Sequence, residues 1–443
     1  MRSSVDLPRT FRVRQLYDDP TVADVPAAVE EQLATLDLAR RVGAGDSVAI
    51  AAGSRGITNI AAVVSAVAAH LRGLGARPFV VPAMGSHGGG TADGQRAILA
   101  DHGITEEGCG CPIRVSMETA VVAEAAAGFP IHIDAHAHAA DHIVVCNRIK
   151  PHTQFSGPVE SGLMKMLLIG LGKRAGAQIY HRAIKDFSFG EIVAQVAPEV
   201  VERCSVVAGV ALVENRRGGT ALVEAILGPE IATREPRLLD RAREMMPRLP
   251  FDRADILLID RVGKDISGTG FDVAVVGRKE AFHAAGENEW PKVRMVALRD
   301  LTDASHGNGE GMGLAEFCLQ RMLDKVDLRI TRINSLTSGH LPASMLPIAM
   351  PNDRELLAAM LPHIGLAPPQ EARLLWVRDT KTLDEVECGE VYREEARARP
   401  DLEVLTGLRP LPIDRVGDLP ATVDGHPDLA PAAAAVTGAR APT

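Results

Sequence analysis

The chain has 443 residues, a formal net charge of -9 and 3% aromatic residues. This length allows two or three domains of roughly 150 residues each, with a sizeable core, which argues against a small binding module. An acidic chain with few aromatic side chains lacks the clustered cations and stacking rings of a nucleic-acid surface. We therefore expect a small metabolite as the ligand and no nucleic-acid partner.

The cysteines and the N-terminal residues bear on the compartment. Six cysteines are scattered along the chain, a pattern typical of a reduced protein and not of a disulfide framework. The first residues, MRSSVDLPRTFRVRQLYDD, contain no apolar stretch of the kind found in a signal peptide. No segment reaches the ~20 unbroken apolar residues of a membrane span. We expect a cytoplasmic protein without membrane contact.

Short β-branched runs alternate with longer amphipathic stretches. The predicted strands are Ser47–Ala52, Pro78–Pro82, His142–Asn147, Ser205–Val213, Asp255–Asp260, Arg294–Leu298 and Arg373–Arg378. The predicted helices are Ile60–Gly73, Gly94–Gly103, Glu191–Arg203, Pro236–Pro247, Ala315–Lys325 and Asp353–Leu361. Such alternation is typical of βαβ units, so the predicted fold class is α/β with mainly parallel sheets.

Two features divide the chain into domains. The charged segment EPRLLDRAREMMPRLPFDRA, around residues 230–254, separates the first strand series from one that restarts at DILLID. From about Pro410 the sequence is rich in Pro, Ala and Gly and offers little to bury. We predict an N-terminal domain over 1–240, a C-terminal α/β domain over 250–400 with an active-site cleft between them, and a flexible tail over 410–443.

Polar, glycine-rich loops follow the first two predicted strands, where open α/β sheets bind ligands. In AAGSRGITN, Arg55 precedes a helix N-terminus, where an anion would be well placed; a structural arginine in a tight turn is the alternative. In VVPAMGSHGGGTADG, His87 stands beside Gly88, Gly89 and Gly90, which let the backbone approach a ligand closely. A histidine in such a loop favours a functional role over a place in the core.

A third loop, in NRIKPHTQFSGPVESGLMKMLLIGLGK, carries His152 and then Lys165 within an apolar run. Lys165 has three interpretations. Its stem can rest on the core with the ammonium at the surface, it can pair with Glu160, or desolvation can lower its pKa and make the amine a nucleophile. The run ends in GLGKRA, which matches the dinucleotide pattern Gly-x-Gly-x-x-Ala, but GAQIYHRAIKDFSFG is a poor helix-then-strand continuation. We therefore do not predict a nicotinamide site.

Four histidines in IHIDAHAHAADH have a spacing that resembles a metal cluster: His132, His136, His138 and His142. No nearby cysteine or carboxylate pattern closes such a site, so we interpret the segment as a solvated loop. A zinc hydrolase that uses this loop is an alternative.

Seven segments together resemble the nickel-dependent lactate racemase family, in its branch of 2-hydroxyacid racemase and epimerase homologues. In the N-terminal half they are GSRGITN, PAMGSHGGGTADGQ, NRIKPHTQFSGPVESGLMKMLLIGLGK and IYH. In the C-terminal half they are DRVGKDISGTGFD, LTDASHGNGEGMGLAEF and TRINSLTSG. The resemblance covers about residues 10–395, and its specificity lies in the order arginine turn, histidine loop, Pro-His, lysine, histidine.

The resemblance implies a cofactor, the nickel-pincer nucleotide (nickel pyridinium-3,5-bisthiocarboxylic acid mononucleotide). In that family one arm of the cofactor is joined to a lysine as a thioamide, and a histidine completes the nickel site. Matched to this sequence, the cofactor is attached to Lys165, and His181 binds the metal. Gly88 and Gly89 are assigned to cofactor contact. Loading the cofactor would require pincer-cofactor biosynthesis proteins as partners.

The resemblance also implies the chemistry of an isomerase. His87 and His152 match the two acid/base histidines, and Arg55 matches the arginine that orients the substrate carboxylate. Lys264, in GKDISGTG, matches a substrate-contacting lysine, although the sequence around it departs from the lactate enzymes. The expected function is racemisation or epimerisation of a 2-hydroxyacid by hydride transfer to and from the cofactor.

Two other functions use the same residues. One is a dehydratase or oxidoreductase-type reaction on a sugar acid with the same cofactor. The other is a non-catalytic protein that binds the cofactor or nickel. Because storage would need only Lys165 and His181, the presence of both His87 and His152 argues against it.

Overall fold

Strands alternate with helices along the computed structural model, which describes residues 6–54, 56–153, 156–279, 287 and 289–426. The strands are β1 (Thr10–Gln15), β2 (Ser47–Ala52), β3 (Arg77–Pro82), β4 (Thr119–Glu124), β5 (Pro130–Asp134), β6 (His142–Arg148), β7 (Val206–Glu214), β8 (Thr220–Leu227), β9 (Arg253–Ile259), β10 (Lys292–Leu298), β11 (Phe317–Leu319), β12 (Ile348–Met350), β13 (Leu374–Val377), β14 (Glu385–Gly389) and β15 (Leu402–Val404). The helices are α1 (Val25–Ala34), α2 (Ile60–Gly73), α3 (Ala92–Asp101), α4 (Glu106–Cys109), α5 (Ala135–His138), α6 (Leu163–Lys165), α7 (Lys173–Ala183), α8 (Phe189–Arg203), α9 (Ile231–Glu244), α10 (Gln320–Leu323), α11 (Leu328–Ser338), α12 (Asp353–Met360) and α13 (Arg393–Ala398). A π-helical turn, Met166–Gly170, directly follows α6.

The described residues fall into two compact units. The first unit is Asp18–Met246, and the second unit combines Met1–Tyr17 with Pro247–Thr443. The division lies within the charged region in which the sequence places a boundary. The predicted domain 1–240 is wrong at its start. Residues up to Tyr17 belong to the second unit, because β1 pairs antiparallel with β14 and β15. Pairing between strands so far apart in sequence leaves no local signal.

The first unit is built on a five-stranded sheet in the order β3-β2-β6-β7-β8. The first four strands run parallel and β8 is antiparallel to β7. Successive residues of β2 enter different hydrophobic clusters, with Ala49 and Ala51 on one face and Val48 and Ile50 on the other. The sheet is therefore buried on both faces, as a nearly continuous apolar strand predicts. Ala52 pairs with the last residue of β3 and with β6, so the carboxyl ends of these strands share one edge.

The second unit contains an eight-stranded sheet in the order β12-β11-β10-β9-β13-β14-β1-β15. Strands β9 to β13 pair in parallel, whereas β14, β1 and β15 extend the sheet with antiparallel pairs. Each unit thus combines helices with a sheet that is parallel in its centre. The predicted α/β class with mainly parallel sheets is confirmed.

The segment after Pro410 differs from the predicted flexible tail. Leu411, Leu419 and Val423 are buried against the core of the second unit. The guanidinium of Arg299 donates to Leu419 O at 3.2 Å, and Asp260 accepts a hydrogen bond from Val423 N at 2.6 Å. A few apolar side chains and buried charges therefore fix residues 411–426. The rest of the predicted tail, 427–443, lies outside the described residues.

One helix prediction needs correction. The predicted helix Ala315–Lys325 contains β11 followed by the short α10, because its apolar residues pair in the sheet. The segment that begins at Lys173 forms α7 and is followed by α8, so it does not continue as a helix and then a strand, as the sequence indicated. In the described part of the chain, no helix is both long and apolar enough to cross a membrane.

Candidate active site

The loops that follow β2 and β3 both contact the helical segment that begins at Leu163. A Cβ built on Gly53, after β2, would lie 3.3 Å from the Met166 Cε atom. Gly85, after β3, donates its backbone N–H to the carbonyl of Gly170 at 3.1 Å. The loop after β6 runs directly into α6. Three loops at one edge of the sheet therefore converge on the segment that carries Lys165, as parallel strands with aligned carboxyl ends allow.

The start of α6 is held by buried polar contacts. The Glu235 Oε2 atom accepts a hydrogen bond from Met164 N at 2.9 Å, and Asn147 Nδ2 donates to Gly162 O at 3.0 Å. Glycine avoids a clash at position 162, where a Cβ would lie 2.1 Å from Glu235 Oε1 and 2.8 Å from Ile149 Cδ1. Burial raises the pKa of Glu235 to about 8, although the backbone hydrogen bonds oppose that shift. Glu235 is a site residue that the sequence analysis missed.

Lys165 and His181 lie on successive helices that are joined by the π-helical turn. Lys165, the last residue of α6, is half-buried. His181 is a half-buried residue of α7. Burial lowers the pKa of His181, and the charges of Lys165 and Lys185 lower it further. The predicted anchor and the predicted metal ligand are thus electrostatic neighbours, and the π-helical turn beside them is a feature frequent at functional sites.

The fully buried lysine of this region is Lys173 and not Lys165. The Lys173 Nζ atom pairs with Asp134 Oδ2 at 3.0 Å and donates to Pro82 O at 2.5 Å and to Gln95 Oε1 at 3.1 Å. Its surroundings differ from a dinucleotide turn, because GLGKRA joins the π-helical turn to α7 and does not follow a strand. Burial lowers the pKa of Lys173, and the Asp134 carboxylate opposes that shift.

The histidine loop after β3 contacts the loop after β2. The His87 Nδ1 atom forms a hydrogen bond with the Ser54 hydroxyl, and the ring of His87 is exposed. Gly88 and Gly89 both have positive φ angles, of 66° and 67°. A Cβ on Gly88 would lie 2.5 Å from the backbone of Gly94, whereas a Cβ on Gly89 would meet nothing within 4 Å. Gly88 is thus fixed by packing, and the space beside Gly89 is open.

His152 lies in the loop after β6 and is half-buried. Its backbone N–H donates to Glu160 Oε2 at 2.5 Å, while Arg243 Nη2 donates to Glu160 Oε1 at 2.8 Å. A buried carboxylate that is neutralised by an arginine therefore holds this histidine loop. Arg55, the predicted carboxylate ligand, lies outside the described residues.

Lys264 belongs to the second unit. The Lys264 Nζ atom donates to Gly268 O at 2.5 Å and to Glu310 O at 3.0 Å, and it forms an ion pair with the Glu310 carboxylate. Asn334 Nδ2 donates to the same carboxylate at 3.1 Å. These contacts join the loops that follow β9 and β10, and a substrate-binding role for Lys264 stays a prediction.

The histidine-rich segment differs from the predicted solvated loop, because it contains β5, α5 and the start of β6. His132 Nδ1 lies 2.9 Å from the Thr119 hydroxyl, and His142 contacts Ser205 Oγ at 2.8 Å and Asp46 Oδ2 at 3.2 Å. Among the residues that the structure describes, no group of three or more His, Cys, Asp or Glu residues is arranged to hold a metal ion.

Comparison with known proteins gives a family and two similar structures. A family described as a domain of unknown function (DUF362) matches residues 49–242. No curated protein matches the chain. The lactate racemase apoprotein from Thermoanaerobacterium thermosaccharolyticum is 11% identical over 66% of this chain and 74% of that chain, with a TM-score of 0.43. A protein from Thermotoga maritima is 11% identical over 74% of this chain and 84% of that chain, with a TM-score of 0.41.

Proposed function

We propose that the protein is a racemase or epimerase of a 2-hydroxyacid that uses the nickel-pincer nucleotide. One observation carries the proposal: the loops after β2, β3 and β6 converge on the segment that bears Lys165. Those loops contain His87 and His152, and the His87 ring forms a hydrogen bond with Ser54 in the β2 loop. Lys165 and the two loop histidines thereby come from one edge of one sheet, and His181 on α7 is close enough to Lys165 for its pKa to be affected.

The residues around Lys165 fit the proposed cofactor. An amine is required for the covalent link, and Lys165 is half-buried at the end of a helix. A metal binds neutral imidazole, and burial together with Lys165 favours the neutral form of His181. Open space beside Gly89 leaves room for a group that approaches the backbone. Arg174, whose Cδ would lie 3.3 Å from a Cβ on Gly90, supplies a cation suited to a nucleotide phosphate.

When bound, the cofactor would accept the α-hydride of the substrate and return it. His87 and His152 would move the hydroxyl proton, because the two configurations present that hydroxyl on opposite sides. A histidine titrates near neutral pH, so each can act as the base in one direction and as the acid in the other. Arg55 would hold the carboxylate bidentately while the reacting carbon changes face.

Acylation of Lys165 would also change the charge of the site. A thioamide carries no positive charge, so the lysine would no longer lower the pKa of His181. Lys185 and burial would still favour the neutral imidazole. The anchor and the metal ligand are therefore compatible both before and after cofactor attachment.

The test is interconversion of enantiomers. The full chain is co-expressed with pincer-cofactor biosynthesis enzymes, and chiral chromatography follows a panel of aliphatic, aromatic and sugar-derived 2-hydroxyacids. We expect interconversion of at least one acid, and His87→Ala and His152→Ala should each lower its rate by roughly 10²- to 10⁴-fold. His138→Ala, at an exposed position on α5, is the matched control. Full activity of both loop variants would contradict the acid/base roles.

A further inference from the structure

A buried polar network lies beneath the His87 loop. The side chains of Lys173, Asp134 and Gln95 are each 0% exposed. The Lys173 ammonium is bound by the Asp134 carboxylate, the Gln95 amide oxygen and the carbonyl of Pro82, the last residue of β3. Two hydrogen bonds and one ion pair therefore surround the ammonium. The network therefore ties β3, β5, α3 and the first residue of α7 together.

Gln95 extends this network to the histidine loop. Its Nε2 atom donates to Gly85 O at 3.0 Å and to His87 O at 3.4 Å. These carbonyls lie on either side of Ser86, so one amide group holds the backbone at two points around the turn. Gln95 accepts from Lys173 through its oxygen and donates to the loop through its nitrogen. Of the common side chains of this size and shape, only a neutral amide offers both functions.

Lys173 links the same network to the helix that carries His181. It is the first residue of α7, and its φ angle of 51° lies in the left-handed region that side chains other than glycine rarely adopt. That conformation is unfavourable for a residue with a Cβ and persists only where the surrounding structure imposes it. The buried contacts of the ammonium supply that constraint. The entry of α7 and the His87 loop are consequently anchored on one side chain.

We propose that Gln95, held by Lys173, is the positioning residue for His87. The amide sets the place of the His87 backbone relative to the helix that bears His181. This inference rests on the proposed function, since it gives the position of His87 a catalytic purpose. A displacement of about 1 Å at a reacting group can cost about 10²-fold in rate.

The test compares two glutamines in the first unit. Gln95→Met keeps a side chain of similar length without hydrogen-bonding groups, and Gln95→Glu keeps an acceptor for Lys173 but, when ionised, no donor for the loop. Gln195→Met is the control, because Gln195 accepts a backbone hydrogen bond from Ala127 on the α8 side of the unit. Each full-length variant is first studied without cofactor, by amide hydrogen exchange over residues 85–90 and by NMR of labelled histidines.

In both Gln95 variants we expect faster exchange over residues 85–90 and a shifted His87 ring resonance, with the His142 resonance unchanged. In the cofactor-loaded enzyme we expect kcat to fall by about 10²-fold and KM to change little. Wild-type exchange and an unshifted His87 resonance in both Gln95 variants would overturn the inference. A different outcome separates the two proposals. If residues 85–90 exchange faster in the Gln95 variants but the cofactor-loaded wild type interconverts none of the acids, the proposed function is contradicted and the positioning of the loop by Gln95 stands.

Discussion

Burial lowers the pKa of His181, and the ammonium of Lys165 lowers it further. Since α6 and α7 are separated only by the π-helical turn and Leu171–Gly172, the two side chains remain electrostatically coupled. Removing the charge of Lys165 should therefore raise the pKa of His181. We expect such a rise in Lys165→Met and a smaller one in Lys185→Met, measured by NMR titration of the histidines in the cofactor-free chain. An unchanged His181 titration in Lys165→Met would contradict this coupling.

Glu235 should make the stability of the chain depend on pH. The folded chain keeps the proton of Glu235 up to pH values of about 8, whereas the unfolded chain releases it near pH 4.5. Between these values the folded state binds more protons, so the free energy of unfolding falls as pH rises. Glu235→Gln should remove this fall, as measured by urea unfolding from pH 4.5 to 8.5.

Glu202→Gln, at an exposed position on α8, is the matched control for Glu235→Gln. If the wild type and Glu235→Gln lost stability in parallel over this pH range, Glu235 would not be the group that titrates.

Lys173 and Asp134 form a fully buried ion pair, so removing one partner should be costly. Lys173→Met leaves the Asp134 carboxylate buried and should lower the free energy of unfolding by about 3–5 kcal/mol. The double variant Lys173→Met/Asp134→Asn should lose less than the two single losses added together, because no charge is left unpaired. Urea unfolding of the four proteins measures this coupling, and simple additivity would show that the pair contributes nothing specific.

Adjacent glycines of the histidine loop should tolerate alanine differently. Gly88 and Gly89 have nearly equal positive φ angles, so the backbone cost of a Cβ is similar at both. Only at Gly88 would the Cβ also collide with the backbone of Gly94. We expect Gly88→Ala to lose about 1–3 kcal/mol more than Gly89→Ala in the free energy of unfolding. Equal losses would mean that the Gly88 turn relaxes without cost.

The central strands could be predicted from the sequence because their signals are local. Predicted Ser47–Ala52 is β2 itself, and predicted Pro78–Pro82 differs from β3 by one residue. The buried apolar runs of a parallel sheet carry their own signature. β1 was not found, because its residues join a sheet through partners that lie hundreds of positions away. The burial of Leu419 was missed for the same reason, since its partners Arg299 and Asp353 are distant in sequence.

The candidate site was predictable only in part. The loops with His87 and His152 follow strands whose ends share an edge, and strand order along the chain indicates this. The apolar run left the burial of Lys165 open, and the sequence did not single out the fully buried Lys173, because the acceptors around Lys173 come from three other segments. One signal for Glu235 was available: it lies four residues after Ile231 and three before Leu238, on the apolar face of α9.

The most direct test of the proposed function is the state of the Lys165 nitrogen. The full chain is co-expressed with pincer-cofactor biosynthesis enzymes, and the peptide that contains Lys165 is analysed by mass spectrometry alongside the nickel content of the protein. Lys165→Arg and expression without the biosynthesis enzymes are the controls. We predict a peptide with the added mass of the cofactor and stoichiometric nickel in the wild type alone. An unmodified Lys165 in a chain without nickel would contradict the cofactor assignment.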